Sequence, residues 1–177
     1  DEISQTEIGF SLSRLLDVGS QSFESFDLEW YSCEVGQYGR SPRETMERNL
    51  SICRTFAQNF GTDSGNLLLF GAPGLGKTFL SACIARVVSE DGFSVVYDTA
   101  MRIFSRFEAA KFRAFDDPEA QEDTERYLRC DLLILDDLGT EMTTTMVQSA
   151  LYQIINGRLL SGRSTVISTN LMPEAIA

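Results

Sequence analysis

The sequence predicts an α/β fold, a parallel sheet flanked by helices on both faces. Four short apolar runs, at residues 66–70, 93–97, 131–136 and 165–169, alternate with helix-like segments at 77–90, 99–115 and 144–160. Strand alternating with helix is the pattern of parallel sheets, because each crossover returns over a face of the sheet. Two runs, Leu67-Leu68-Leu69-Phe70 and Leu132-Leu133-Ile134-Leu135, are apolar throughout, as expected of strands buried on both faces. With 177 residues and 43% apolar content, the chain is long enough for one domain with a real core and is not a disordered sequence.

Two regions follow from the pattern along the chain. Residues 1–40 have no sustained period and are rich in Ser, Gly and acids, so they read as an N-terminal arm or linker ahead of a core at 41–177. Within the arm, Phe23, Phe26, Trp30 and Tyr31 form an aromatic cluster. It reads as docking the arm on the core, as a nucleotide-base pocket or as a partner-binding face. The opening Asp1-Glu2-Ile3-Ser4 is no signal peptide, and without a Met it reads as the start of an excised piece.

The first helix of the core begins near Ser41. Ser41-Pro42-Arg43-Glu44 has Ser at the N-cap, Pro at the first helical position and Glu two residues on, a capping box. Met46, Leu50, Cys53, Ala57 and Phe60 then recur on one face, and Gly61 is the expected stop. In the segment at 99–115, Met101, Phe104, Phe107 and Phe115 form the expected buried side. Arg102, Arg106, Lys111 and Arg113 form a basic face, either merely solvated or a contact for single-stranded DNA. The acidic run from Asp116 to Glu125 reads as a solvated loop.

The sharpest motif is Gly71-Ala72-Pro73-Gly74-Leu75-Gly76-Lys77-Thr78, which matches G-x-x-x-x-G-K-[ST] between a strand and a helix. Its glycines let backbone N–H groups turn toward phosphate oxygens, and the following helix aims its positive end at the anion. Gly71, Ala72, Pro73, Gly74, Leu75, Gly76, Lys77, Thr78 and the adjoining Phe79 are therefore the expected nucleotide-binding residues. Lys77 places an ammonium on the β- and γ-phosphates, and Thr78 offers a hydroxyl to Mg²⁺.

The second motif, Asp131-Leu132-Leu133-Ile134-Leu135-Asp136-Asp137-Leu138-Gly139, is a Walker B strand. Its C-terminal end is expected beside the phosphate loop, where open α/β sheets bind ligands. Asp136 would hold Mg²⁺, through water, and Asp137 would orient or deprotonate the attacking water. Ser168-Thr169-Asn170 ends the last strand, where Asn170 either holds that water or caps the strand. Asp136-Asp137-Leu138-Gly139 also fits the D-x-x-G of GTPases, but no N-K-x-D follows; the only lysines are Lys77 and Lys111.

Composition removes other chemistries. There is no His, so no His general base and no His-ligated metal. The four cysteines, Cys33, Cys53, Cys83 and Cys130, contain no C-x-x-C and read as buried free thiols suited to a reducing cytoplasm. No apolar run approaches a membrane span. The net charge of −11 argues against bulk electrostatic coating of nucleic acid, while leaving room for a local basic stripe.

Together with Phe23-Glu24-Ser25-Phe26-Asp27, Glu141, the run Ile154-Ile155-Asn156-Gly157-Arg158 and the run Ile167-Ser168-Thr169-Asn170-Leu171, these motifs resemble the AAA+ ATPases of the DnaC/IstB group. The group comprises helicase loaders and transposition helpers, and the resemblance runs from about Phe23 to the C-terminus, most like the DnaC-like loaders. It implies a P-loop AAA+ core that binds ATP or ADP with Mg²⁺ and hydrolyses ATP, with Lys77, Asp137 and Asn170 catalytic. It implies a five-stranded sheet in the order 5-1-4-3-2, with the fifth strand, an arginine finger and a second sensor arginine expected beyond Ala177. The core would then be incomplete at its C-terminal end, and turnover by the chain alone weak. The implied partners are a replicative helicase, or else a transposase, with single-stranded DNA and ATP-dependent self-association. Many relatives carry Glu where Asp137 stands; Glu141 would be a helper carboxylate or a turn residue, and Arg158 mainly a structural one. A P-loop small-molecule kinase and a nucleotide-binding scaffold without turnover are the readings from other classes.

Overall fold

In a computed structural model of the chain, the described residues are 21–36, 39–61, 64–112, 118–139 and 144–172. Two 3-10 turns, Phe23–Ser25 and Leu28–Trp30, lead into α1 (Pro42–Gln58). There follow β1 (Leu67–Phe70), α2 (Lys77–Glu90), β2 (Val95–Thr99), α3 (Ala100–Phe112), α4 (Pro118–Arg129), β3 (Leu132–Leu138), α5 (Thr145–Leu160) and β4 (Ser164–Thr169). The four strands are all parallel, in the order β1-β4-β3-β2. This is the expected 1-4-3-2 order, and the α/β class with helices on both faces is as predicted.

Alternation along the strands assigns the faces. Val95, Tyr97, Leu132, Ile134 and Val166 join Met46, Cys53 and Ala57 of α1 and the apolar side of α2. Val96, Leu133, Leu135, Leu138 and Ile167 pack instead under α3, α4 and α5. Each face of the sheet thus has its own core.

The second cover stops short of β1. Leu67 and Leu69 pack on the α1–α2 side, but Leu68 is 43% and Phe70 49% exposed. The expectation that this run is buried on both faces is corrected: β1 is an edge of the sheet among the described residues, and α3–α5 lie over β2–β4.

The Ser41 capping box is present: the Ser41 hydroxyl accepts from the Glu44 N–H at 3.2 Å, and the Glu44 carboxylate from the Ser41 N–H at 2.8 Å. The helix ends earlier than its expected stop. Asn59 is the C-cap, with its side-chain amide donating to the Thr55 carbonyl at 2.9 Å, so Gly61 lies past the end. Ahead of α1, Phe23 is buried against α1 and α2, and Phe26 and Tyr31 pack on the same core. Trp30 does not join them; it is 85% exposed.

Two other expectations change. The acidic run is a helix from Pro118 on, not a loop. Pro118 starts α4, Glu119 lies in its first turn, Arg126 and Arg129 in its last, and Ala120 and Tyr127 are buried. Charge matched to the helix dipole and one narrow apolar stripe suffice. Asp116 and Asp117 lie outside the described residues, as do Arg113, Phe115 and Glu141. On α3, Ile103, Phe104 and Phe107 are buried, whereas Met101 is 71% exposed on the opposite side.

Of the cysteines, Cys53, Cys83 and Cys130 are buried free thiols, and Cys33 is exposed, against expectation. Burial pushes the Cys53 thiol up to about 11 and, as the largest influence, the Cys83 thiol up to about 12. Both stay protonated and inert at neutral pH. No helix among the described residues is long and apolar enough to cross a membrane.

Candidate functional site

The loop between β1 and α2 sits at the C-terminal end of the sheet. Gly76 is the N-cap of α2, in the left-handed region at φ 82°, and no side chain caps the helix. The orphan N–H groups of its first turn are therefore open to an anion. A Cβ on Gly76 would lie 3.0 Å from the Phe26 ring and 3.0 Å from the Tyr31 hydroxyl. Glycine is needed here for conformation and for space. The Tyr31 hydroxyl also donates to the Leu75 carbonyl at 3.1 Å, so Phe26 and Tyr31 brace the loop from outside.

Lys77 opens α2, and its ammonium donates to the carbonyls of Gly71 at 2.8 Å and Ala72 at 2.9 Å. Its third donor meets the Asn170 carbonyl oxygen at 2.7 Å. A phosphate must compete with these three acceptors for the ammonium. Asn170 follows the end of β4, and its amide donates onward to the Asp137 carboxylate at 3.2 Å. Lys77, Asn170 and Asp137, far apart in sequence, are thus linked in one chain of hydrogen bonds.

Asp136 and Asp137 lie on β3 but do different things. The pairing of β3 with β4 passes from Leu135↔Ile167 to Leu138↔Thr169, so β3 carries one extra residue there. Asp137 is at φ 58°, the one non-glycine residue with positive φ among those described. Such bulges re-aim side chains beside sites, and Asp tolerates the left-handed region better than most residues. The bulge turns Asp137 outward, where it is exposed, while Asp136 stays buried on the α2 face. The Asp137 N–H is held by the Ser168 hydroxyl at 2.9 Å.

The Asp136 carboxylate meets three hydroxyls. Thr78 lies 3.2 and 3.3 Å from its two oxygens. Tyr97 on β2 donates at 2.7 Å, and Ser168 on β4 donates to the other oxygen. Thr78 and Asp136 are hard oxygen donors side by side, the set that suits Mg²⁺, which takes few protein ligands and keeps water and phosphate oxygens. Among the described residues, no group of three or more Asp, Glu, Cys or His is placed to hold a metal ion.

The basic residues of α3 are partly spent. Arg102 pairs with the buried Asp98 at 3.3 Å, and Arg106 with Asp123 of α4 at 3.1 Å. Asp98 also accepts from the Tyr127 hydroxyl at 2.8 Å, and burial is the largest influence on its carboxyl, raising its pKa. Lys111 stands over the Phe112 ring at 5.7 Å. Arg158 is fully buried on α5: its guanidinium donates to the carbonyls of Tyr127, Cys130, Asp131 and Ser164 and to the Thr165 hydroxyl. It lies within the core under the sheet, as its structural reading required.

The sequence reading singled out every polar residue of this cluster except Tyr97, and gave Ser168 no separate role. Tyr97 ends the apolar run at 93–97, and nothing local marks its hydroxyl; only the strand order brings it next to Asp136.

Sheet order, glycine loop and strand-end acids define a P-loop α/β domain of the AAA+ type. The model of the family described as IstB-like ATP binding protein matches residues 41–175, and the chain belongs to that family. Among curated proteins it is 34% identical over 145 residues to YdaV, an uncharacterized protein of Escherichia coli strain K12, covering 81% of this chain and 56% of that protein. It is 29% identical over 139 residues to the replicative helicase loader DnaC of the same strain, covering 78% of this chain and 56% of DnaC. The chain therefore spans about half the length of these relatives. A crystal structure of the DnaC helicase loader superposes with a TM-score of 0.64 at 23% identity, covering 87% of this chain and 82% of that one, and shows the shared fold.

Proposed function

We propose that this chain is the nucleotide-binding part of an ATP-driven switch that loads a replicative helicase onto single-stranded DNA. The observation that carries the reading is the convergence of Lys77, Thr78, Asp136, Asp137 and Asn170 at one end of the sheet, in a chain similar to DnaC. ATP or ADP lies along Gly71, Ala72, Pro73, Gly74, Leu75, Gly76, Lys77, Thr78 and Phe79, with its phosphates at the uncapped start of α2. Lys77 exchanges its carbonyl and Asn170 partners for phosphate oxygens. Thr78 and Asp136 would hold Mg²⁺, which supplies neutralising charge to the phosphates. Asp137, with Asn170 beside it, accepts the proton of the attacking water.

Self-association around ATP brings a neighbour's arginine to the γ-phosphate, as arginine fingers do in phosphoryl transfer. Arg158, locked in its own core, does not serve. Single-stranded DNA meets Arg102, Arg106, Lys111 and Arg113; the first two must first exchange carboxylate for phosphate. The setting is the cytoplasm. The second reading, supported by the family match, is a transposition helper that acts on a transposase.

The test is capture of partners by the full-length protein, with a hexameric replicative helicase and a transposase offered separately in ATP and in ADP. Retention of the helicase that differs between the nucleotides is the expected result. Retention of the transposase alone would move the chain to the helper class.

A further inference from the structure

We propose that Tyr97 and Ser168 are positioning residues that fix the Asp136 carboxylate toward the metal ion. The proposal rests on the reading of Asp136 as the Mg²⁺ carboxylate and deepens it.

The strand order puts β3 between β2 and β4. Tyr97, Asp136 and Ser168 all point to the α2 face, so the carboxylate sits between two hydroxyls from its two neighbouring strands. Tyr97 holds Oδ2 at 2.7 Å, and Ser168 holds Oδ1. Thr78 lies across both oxygens from the α2 side.

The torsion that turns an Asp carboxylate is broad, so a strand alone does not fix its plane. One strand hydroxyl on each oxygen does. Each carboxylate oxygen has about two lone-pair directions. One is taken by the sheet, and the other is left toward Thr78 and the phosphate loop. Hydrogen bonds from outer partners of this kind commonly change metal affinity by about 10- to 100-fold when removed.

Tyr97 permits a clean test. Its ring is buried in the core, and Tyr97→Phe keeps the ring while removing the hydroxyl. Ser168→Ala is the second variant; it also frees the Asp137 N–H. ADP affinity is measured by calorimetry on wild type and both variants, first in EDTA and then across a Mg²⁺ titration. The expected result is unchanged ADP affinity in EDTA and a Mg²⁺ midpoint raised about tenfold or more in each variant. A loss through general destabilisation would lower affinity in EDTA as well, and would overturn the proposal. So would variant Mg²⁺ curves that superpose on wild type while Asp136→Asn abolishes the Mg²⁺ dependence. Wild-type ADP binding that ignores Mg²⁺ would instead overturn the reading of Asp136 itself, and this proposal with it.

Discussion

Arg158→Ala should remove about 3–5 kcal/mol of folding stability, through buried acceptors that lose their charged donor. The guanidinium is fully buried, and its hydrogen bonds tie α5 to the end of α4, to the start of β3 and to β4. Burial holds its pKa below the usual arginine value, which records the cost of keeping the charge there. Five oxygen acceptors and the Cys130 sulfur offset that cost. Alanine removes the donor to four carbonyls and a hydroxyl; the Asp131 carbonyl keeps the Ser164 N–H and the Tyr127 carbonyl keeps the Cys130 thiol, while each buried group left unpaired costs about 1–3 kcal/mol. Domains of this size have only about 5–15 kcal/mol in hand. Urea denaturation of the two proteins measures the difference; a loss under about 1 kcal/mol would mean that the network adds little.

Asp137→Asn should leave nucleotide binding intact and slow hydrolysis by about 10²- to 10⁴-fold, the usual worth of a positioned general base. The substitution preserves the local geometry. Asn tolerates the left-handed backbone that Asp137 adopts at φ 58°, and its side-chain oxygen still accepts from Asn170. Only the basic carboxylate is lost. Single-turnover hydrolysis by the full-length protein, paired with calorimetric ADP affinity, separates grip from chemistry. Undiminished hydrolysis would place the base elsewhere, with Glu141 next to be tested.

The phosphate loop and the strand-end acids were legible because their chemistry demands particular residues at fixed spacing. Gly76, Lys77 and Thr78 stand where the motif puts them, and α2 covers residues 77–90 as read. The strands were legible as apolar runs, off by a residue or two at their ends. Less legible was anything decided across strands. The bulge that turns Asp137 outward comes from the pairing of β3 with β4, and two adjacent aspartates give no local sign of it. The contact of Tyr97 with Asp136 likewise needs β2 beside β3. The misreading of α4 had another cause. Its acids suggested a solvated loop, although Pro118 at the start, Arg126 and Arg129 at the end and the spacing from Ala120 to Tyr127 already marked a helix. The exposed outer side of β1 was hidden for a similar reason: an apolar run does not say how far the helices on each face extend.

The proposed nucleotide switch requires that phosphate be gripped at the start of α2 by Lys77. Calorimetric titration of ADP with Mg²⁺ into this chain and into Lys77→Ala tests it most directly. Binding by the wild-type chain, weakened about ten- to hundredfold in the variant, is the predicted result, the worth of one lost charge-assisted hydrogen-bonding group. Equal affinity in the two folded proteins, or no binding by either, would contradict it.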